Sequence, residues 1–317
     1  MIFAYRPTAS GLERQPNEAS LSEALWIDMS HPLPEQVEAV EALGLSVPTL
    51  ADMEEIEVSN RLYREGDTEV LTVVLPGLDK QKQPGFGPVA FMLTPERLVT
   101  VRYHTPRPFE TFPQHAAQSS AGCAGRRRVF LGLVEEVVAR LADILEGVGR
   151  SLDEQSHALF PDPAPRSSEL AEALRALGKL GEQIARIRLS LVSLERALSS
   201  FGLGLEGPKD GALRQILKAQ VRDIQALTVH GDFLSGRLAQ LTDVAMGLIN
   251  LEQTSTGRVL SVVAILFLPP TLVASVYGMN FANLPGLDNP HGYLIATGLM
   301  FGSALGTYLF CKWKKWL

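Results

Sequence analysis

The side chains best suited by type and spacing to do chemistry lie in Val276–Tyr293. There the triplet Gly278-Met279-Asn280 separates two long apolar stretches. A loop rich in proline, glycine and asparagine follows, carrying one acid, Asp288. This is either the turn of a hairpin between buried segments or a place where a ligand meets the chain. Counting back from Asn280 at helical spacing traces one face: Ser275, Thr271, Leu268, Ala264, Leu260, Gly257, Thr254, Asn250, Gly247 and Asp243. It mixes hydroxyls and small residues with two leucines and ends in an acid. Gly278 permits a sharp turn and close backbone approach, whereas Met279 reads as packing. The first 110 residues show no glycine-rich phosphate loop, nucleophile elbow or Cys/His metal spacing, so enzyme chemistry is not indicated.

The elements around these residues are unusual. Between Val259 and Cys311 the single charged residue is Asp288, and composition shifts abruptly at Arg258. Val259–Val276 supplies 18 uncharged residues and Gly292–Cys311 supplies 20. As helices they would cover roughly 27 and 30 Å, close to a bilayer core. The other reading is two buried helices of a soluble protein, but two such runs seldom occur together outside membranes. Arg258 flanks the first span and Lys312, Lys314 and Lys315 the second, whereas 281–291 has no Lys or Arg. The positive-inside rule then places both termini in the cytoplasm and the loop outside. Tyr277, Tyr293, Trp313 and Trp316 sit where interfacial anchors belong. Gly298, Gly302, Ser303 and Gly306 give the second span a face for close helix packing. Pro269 and Pro270, mid-span, are expected to bend the first helix and to free carbonyls that need protein or a wet cavity.

The chain of 317 residues carries a net charge of −6, which argues against a nucleic-acid partner. Two cysteines, one ending an apolar run, do not make a disulfide framework. The N-terminal stretch lacks the charged start and apolar run of a secretory signal, so the part before the spans is expected in the cytoplasm. Leu213, Leu227, Leu234, Leu241 and Leu248 recur at multiples of seven, with Gln220 in the missing slot. Leu217, Ile224, Leu238 and Ala245 form a second series, interrupted at Gly231. No proline lies between Pro208 and Pro269, so one helix of about 70 residues should run from the cytoplasm into the membrane. Helical spacing also marks Val129–Leu159 and Leu170–Leu198, separated by Pro161–Pro165. Ala24–Met29, Ser59–Pro76 and Val89–Tyr103 alternate like strands, with tight turns at Glu65-Gly66 and Pro95-Glu96 and short helices over 33–44 and 48–57.

The expected fold class is therefore an α+β membrane protein. An N-terminal α/β cytoplasmic domain with a mixed or antiparallel sheet (1–125) precedes a helical bundle and long stalk helix (126–258). The stalk continues into the first of two transmembrane helices (259–277). The triplet and external loop (278–291), the second transmembrane helix (292–311) and a basic cytoplasmic tail (312–317) follow.

This arrangement resembles the CorA family of divalent-cation channels. The resemblance rests on the two C-terminal spans, Tyr277-Gly278-Met279-Asn280 closing the first, the long helix entering the membrane and the lysine-rich tail ending in Trp-Leu. Phe267–Phe281 is similar to the magnesium and cobalt transporters of that family, and Ala24–Met29 and Leu50–Tyr63 to its cytoplasmic domain. The resemblance implies a funnel-shaped homopentamer in a bacterial-type inner membrane, with five first spans around a central pore. It would carry Mg2+, and Co2+ and Ni2+ besides.

The resemblance also implies a selectivity filter at Gly278, Met279 and Asn280. There, side-chain and backbone carbonyls would hold the ion through its water, less tightly than carboxylates would, as conduction requires. Pore-lining residues would fall on the traced face: Leu260 and Leu268 as constrictions that exclude water, Thr254 and Thr271 as hydroxyls, and Asp243 at the inner mouth. Read alone, Asp243 is better taken as a solvated coiled-coil acid, and the leucines are equally ordinary packing. Asp288 would concentrate cations outside. Family members close when intracellular magnesium binds, which implies a regulatory metal site among Asp52, Glu54, Glu55 and Glu57. Without the family these are a solvated acidic face.

One departure bears on the ion. Many magnesium members carry a glutamate after the loop proline, where this chain has Gly286 after Pro285. A Pro-Gly loop is also similar to the ZntB zinc transporters, which leaves Zn2+ and proton coupling open. His291 is either a zinc or nickel ligand or a polar anchor. A membrane-anchored scaffold or sensor without transport is the remaining reading.

Overall fold

The computed structural model describes residues 1–8, 11–15, 18–55, 57–160, 165–205, 207, 210–279 and 290–314. They form two compact units, one of Met1–Ala158 with Arg175–Leu241, the other of Leu159–Leu174 with Thr242–Leu317.

The first unit is built on a seven-stranded sheet. Its strands are β1 (Ile2–Thr8), β2 (Gly11–Gln15), β3 (Trp26–Ser30), β4 (Leu62–Glu65), β5 (Thr68–Leu78), β6 (Pro84–Leu93) and β7 (Leu98–Arg102). Their order is β2-β1-β3-β7-β6-β5-β4. Every neighbouring pair is antiparallel except β3–β7, so the sheet is mixed. All five residues of β3 and of β7 are buried, which places this parallel pair at the centre with both faces covered. Period-two alternation sorts the side chains. Ile27, Met29, Val99 and Val101 join a cluster with Val40 of α1 (Pro34–Glu41) and Met53 of α2 (Leu50–Glu54). On the other face Trp26 packs against Phe109 and Phe112 of α4 (Pro108–His115), at ring distances of 6.2 and 6.0 Å.

Two features of this region differ from the sequence expectation. The sequence pattern does not predict the hairpin β1–β2, because Pro7 and the charged Glu13-Arg14 break apolar alternation; pairing with β3 supplies what the pattern lacks. The strand expected from Ser59 begins only at Leu62. Val58–Arg61 forms a single helical turn (α3), held by Asn60 N–H to the Glu57 carbonyl and Arg61 Nε to the Glu55 carbonyl. Local side chain–backbone bonds compete successfully with strand geometry there.

The face carrying Trp26 also buries a polar chain. Trp26 Nε1 donates to Thr100 Oγ1, whose hydroxyl donates to Asp28 Oδ1 at 2.9 Å. Arg102 binds the same carboxylate through Nε and Nη2, the latter at 2.8 Å, and reaches the His104 carbonyl through Nη1. Asp28 and Arg102 are 1% and 3% exposed, so this is a desolvated pair on adjacent parallel strands.

Next to it, His104 Nε2 donates to the Leu75 carbonyl at 3.0 Å, which leaves Nδ1 buried without a partner. Glycines wall the ring: a Cβ at Gly77 would come within 2.5 Å of it. Burial pushes the imidazole down to about 4. The unfolded chain, near 6.5, binds the proton that the folded chain refuses. Stability from neutral His104 is therefore complete above about pH 6.5 and falls away as pH drops through about 4, by up to about 3 kcal/mol. Replacing His104 with Gln is expected to flatten the pH dependence of the apparent melting temperature between these values. An unchanged slope would remove His104 as its source.

Three long helices complete the unit: α5 (Arg126–Leu159), most of α6 (Ser167–Leu203) and the first half of α7 (Gly211–Tyr277). The expected long helix is thus a single element of 67 residues that continues through Pro269 and Pro270. Its heptad positions Leu213, Gln220, Ile224, Leu234 and Leu241 are buried. Arg188–Asp232 at 3.0 Å and Gln225–Glu195 at 2.9 Å tie α7 to α6. Gln220, in a leucine slot, donates Nε2 to the Leu131 carbonyl of α5 at 2.7 Å, while its Oε1 is buried and unpaired. That acceptor costs desolvation energy without return. Gln220→Leu is expected to raise thermal stability by about 1 kcal/mol, read as a higher melting temperature. A fall would show that the bond to Leu131 specifies helix register.

Where β4 ends, α6 takes over the sheet edge: Ser193 Oγ accepts from Val74 N–H at 3.0 Å. In the second unit α6 begins beside α7, with Ser167 Oγ hydrogen-bonded to the Glu252 carboxylate. The unit also holds α8 (Gly292–Trp313).

Candidate functional site

Both α7 and α8 contain windows long and apolar enough to cross a membrane, and only 6% and 11% of those windows are buried. Core helices of a soluble protein would be covered; these present Leu260, Phe267, Leu268, Leu272, Phe301 and Leu305 to the outside. An apolar surface of this kind calls for lipid or another chain.

From Val262 to Val273 the burial along α7 is one-sided, whereas every residue from Gln253 to Ser261 is exposed. Val262 is buried, and Leu266, Pro269, Pro270 and Val273 are half-buried. On a helical wheel they lie opposite the face traced from the sequence. Asp243, Thr254, Leu260, Leu268 and Thr271 are all exposed, and so are Gly247, Asn250, Gly257, Ala264 and Ser275 between them. The structure therefore brings the predicted α7 residues onto one uncovered stripe of the second unit.

The hydroxyls on this stripe are oriented by their own helix. Thr271 Oγ1 donates to the Phe267 carbonyl at 2.7 Å and Thr254 Oγ1 to the Asn250 carbonyl at 2.8 Å. With the protons so engaged, what faces outward is lone pairs, which accept from water or approach a cation. Proline supplies no N–H at 269 or 270, so the Ile265 and Leu266 carbonyls lack their helical donors.

The helix ends at Tyr277, and Gly278 N–H bonds the Ala274 carbonyl at 2.9 Å. A Cβ at Gly278 would sit 3.0 Å from that carbonyl oxygen, so glycine allows the close turn. Met279 is exposed. Asn280, Gly286 and Asp288 lie outside the described residues. His291 is the N-cap residue of α8, without a side-chain cap bond.

The four acids of the first unit do not converge. Asp52 closes a capping box, its Oδ2 accepting from Thr49 Oγ1 at 2.7 Å and Thr49 N–H at 2.9 Å. These bonds, the hydroxyl's first, hold its carboxyl below the usual range. Glu55 accepts from Asn60, and Glu54 and Glu57 are exposed. Among the described residues no three His, Cys, Asp or Glu side chains form a group that could hold a metal. The buried Asp28–Arg102 pair and the hydroxyl orientation escaped sequence reading, since both depend on which strands and turns become neighbours.

The fold and this stripe define a membrane protein with an α/β domain, a long helix and two apolar C-terminal helices. Comparison with known proteins then places it. Residues 22–312 match the family model described as CorA-like Mg2+ transporter protein. A "Magnesium transport protein CorA" of Haemophilus influenzae is 32% identical over 321 residues, covering 100% of both chains. The CorA magnesium transporter structure from Methanocaldococcus jannaschii superposes with a TM-score of 0.76 at 18% identity, covering 100% of this chain and 99% of that one. The cytoplasmic domain of ZntB from Vibrio parahaemolyticus shares the fold over 80% of this chain and 97% of its own, with a TM-score of 0.55 at 13% identity. The chain belongs to the CorA family, a family of transporters rather than enzymes.

Proposed function

We propose that the protein is a magnesium channel of the inner membrane in which five copies of α7 surround a central pore lined by the uncovered stripe. The observation that carries this reading is the stripe itself. Ten residues at helical spacing are all exposed, those from Ala264 to Ser275 opposite a half-buried side, mixing oriented hydroxyls with leucines, in a chain whose full-length relative is named for magnesium transport. Gly278, Met279 and Asn280 form the outer filter, where a hydrated ion is held through its water. Thr271 and Thr254 accept from that water shell, Leu268 and Leu260 exclude water when the pore narrows, and Asp243 draws cations at the inner mouth. Asp288 concentrates them outside. Both termini are cytoplasmic, and the membrane potential, about 2.3 kcal/mol per charge per 100 mV, favours entry.

Regulation by intracellular magnesium through Asp52, Glu54, Glu55 and Glu57 requires ligands from a second subunit, because these acids stand apart in one chain. Cobalt and nickel share the path. Pro285-Gly286 favours, as the second reading, a zinc carrier driven by protons.

Flux of Mg2+, Co2+, Ni2+ and Zn2+ into proteoliposomes, with and without a pH gradient, tests the assignment. Magnesium flux independent of the gradient is expected. Zinc flux that needs the gradient would move the protein to the second reading, and no flux would leave a scaffold or sensor. Single cysteines over 254–271 should react with a hydrophilic thiol reagent on the stripe and be protected off it. Uniform protection in an open channel would sink the pore-lining assignment.

A further inference from the structure

Outside the membrane-directed helices, the first unit contains a cleft of about 690 Å³ between the β5–β6 hairpin and helices α4, α5 and α6. Four cationic side chains line it: Arg107 at the start of α4, Arg140 of α5, and Lys179 and Arg186 of α6. Two carboxylates, Glu110 and Glu182, oppose them, leaving an excess of positive charge in a chain whose total is −6. Glu182 is spent on Arg186 at 2.6 Å, and among the described residues Arg140 has a single distant ion-pair partner, Asp143 at 3.9 Å. Neither the Arg107 nor the Lys179 side chain has a hydrogen bond or ion pair among the described residues. Cations gathered in one concavity repel one another, and an anion relieves that repulsion. Arginine and lysine from three different helices are the groups that grip phosphate oxygens.

The other wall is apolar and aromatic. Half-buried Phe86 stands with the Arg186 guanidinium 5.9 Å from its ring centroid. An aromatic ring with an arginine plane over it makes a stack that a flat heterocycle can extend. At Gly85, next to it on β6, nothing lies within 4 Å of where a Cβ would be, so this wall is open. The volume exceeds what a lone phosphate fills and suits a ligand of several hundred daltons.

We propose that this cleft binds a nucleoside polyphosphate, its phosphates held by Arg107, Arg140 and Lys179 and its base laid against Phe86. Occupancy would tie the β5–β6 hairpin to α5 and α6, so the chain would sense an anionic metabolite at a place separate from the transport stripe.

The test uses the full-length protein in detergent and reads binding alone, so it stands or falls independently of ion flux. ATP, with and without magnesium, and inorganic tripolyphosphate are titrated by calorimetry. ATP is expected to saturate one site per chain below about 1 mM, more weakly as salt rises. Arg107→Glu with Lys179→Glu, both exposed, should weaken ATP and tripolyphosphate by about a hundredfold without changing the melting temperature. Phe86→Ala should weaken ATP about tenfold and leave tripolyphosphate unchanged. Absence of saturation, or indifference to the double charge reversal, overturns the site. Tripolyphosphate binding as tight as ATP, with no effect of Phe86→Ala, overturns the nucleotide assignment.

Discussion

Replacing Asn280 with alanine should lower magnesium flux by about a hundredfold or more while leaving the amount and assembly of the protein unchanged. A hydrogen bond to a charged or polarised group contributes about 1.5–3 kcal/mol, and 2.8 kcal/mol is a factor of about 100. In a ring of identical subunits the substitution removes every copy of the amide oxygen at once. The chemistry predicts a graded series. Asn280→Gln keeps the carbonyl but displaces it, and should retain part of the flux. Asn280→Asp replaces neutral oxygens with carboxylates that hold magnesium more tightly and release it more slowly, so affinity should rise while maximal flux falls. Uptake measured with an indicator trapped in proteoliposomes distinguishes these outcomes. Flux in Asn280→Ala within about threefold of the unmodified chain would take Asn280 out of the filter.

The second large effect concerns stability. Asp28→Ala leaves Arg102 charged, 3% exposed and without its carboxylate, and strips Thr100 of its acceptor. Breaking a buried pair from one side costs about 3–5 kcal/mol. For a unit of this size each kcal/mol moves the melting temperature by about 2–4 °C, so a drop of roughly 6–20 °C is expected for the full-length protein. Changing both partners, Asp28→Leu with Arg102→Met, removes the stranded charge and should recover much of the loss. If the double variant were as unstable as the single, the network would matter through Thr100 and Trp26 rather than through the uncompensated arginine. Neither residue lies in the second unit, so flux per folded channel should be unaffected.

Legibility in the sequence followed the strength of local patterns. Two uncharged runs and a heptad series announced α7 and α8 because each residue there reports the same thing, an apolar neighbour at helical or bilayer scale. The tight turns at Glu65-Gly66 and Pro95-Glu96 were legible because glycine and proline restrict the backbone on their own. The hairpin β1–β2 was not, since its edge strand Gly11–Gln15 carries the adjacent charges Glu13 and Arg14 and holds its place by pairing with β1. Gln220 read as a gap in a leucine series; only the approach of α5 shows it reaching the Leu131 carbonyl.

The candidate site divides in the same way. The sequence by itself determined which residues share a face from Asp243 to Ser275, because helical periodicity needs no tertiary information. Only the tertiary structure decided that this face is bare and that Val262 and Leu266 on the other side are covered, since coverage depends on what packs against them. It likewise decided that Asp52 is occupied as a cap and that Arg107, Arg140, Lys179 and Arg186 meet at one cleft. Those cations lie on three helices separated by up to about 80 positions of chain. Charges that far apart in sequence acquire a common field only when packing brings them within reach of one another.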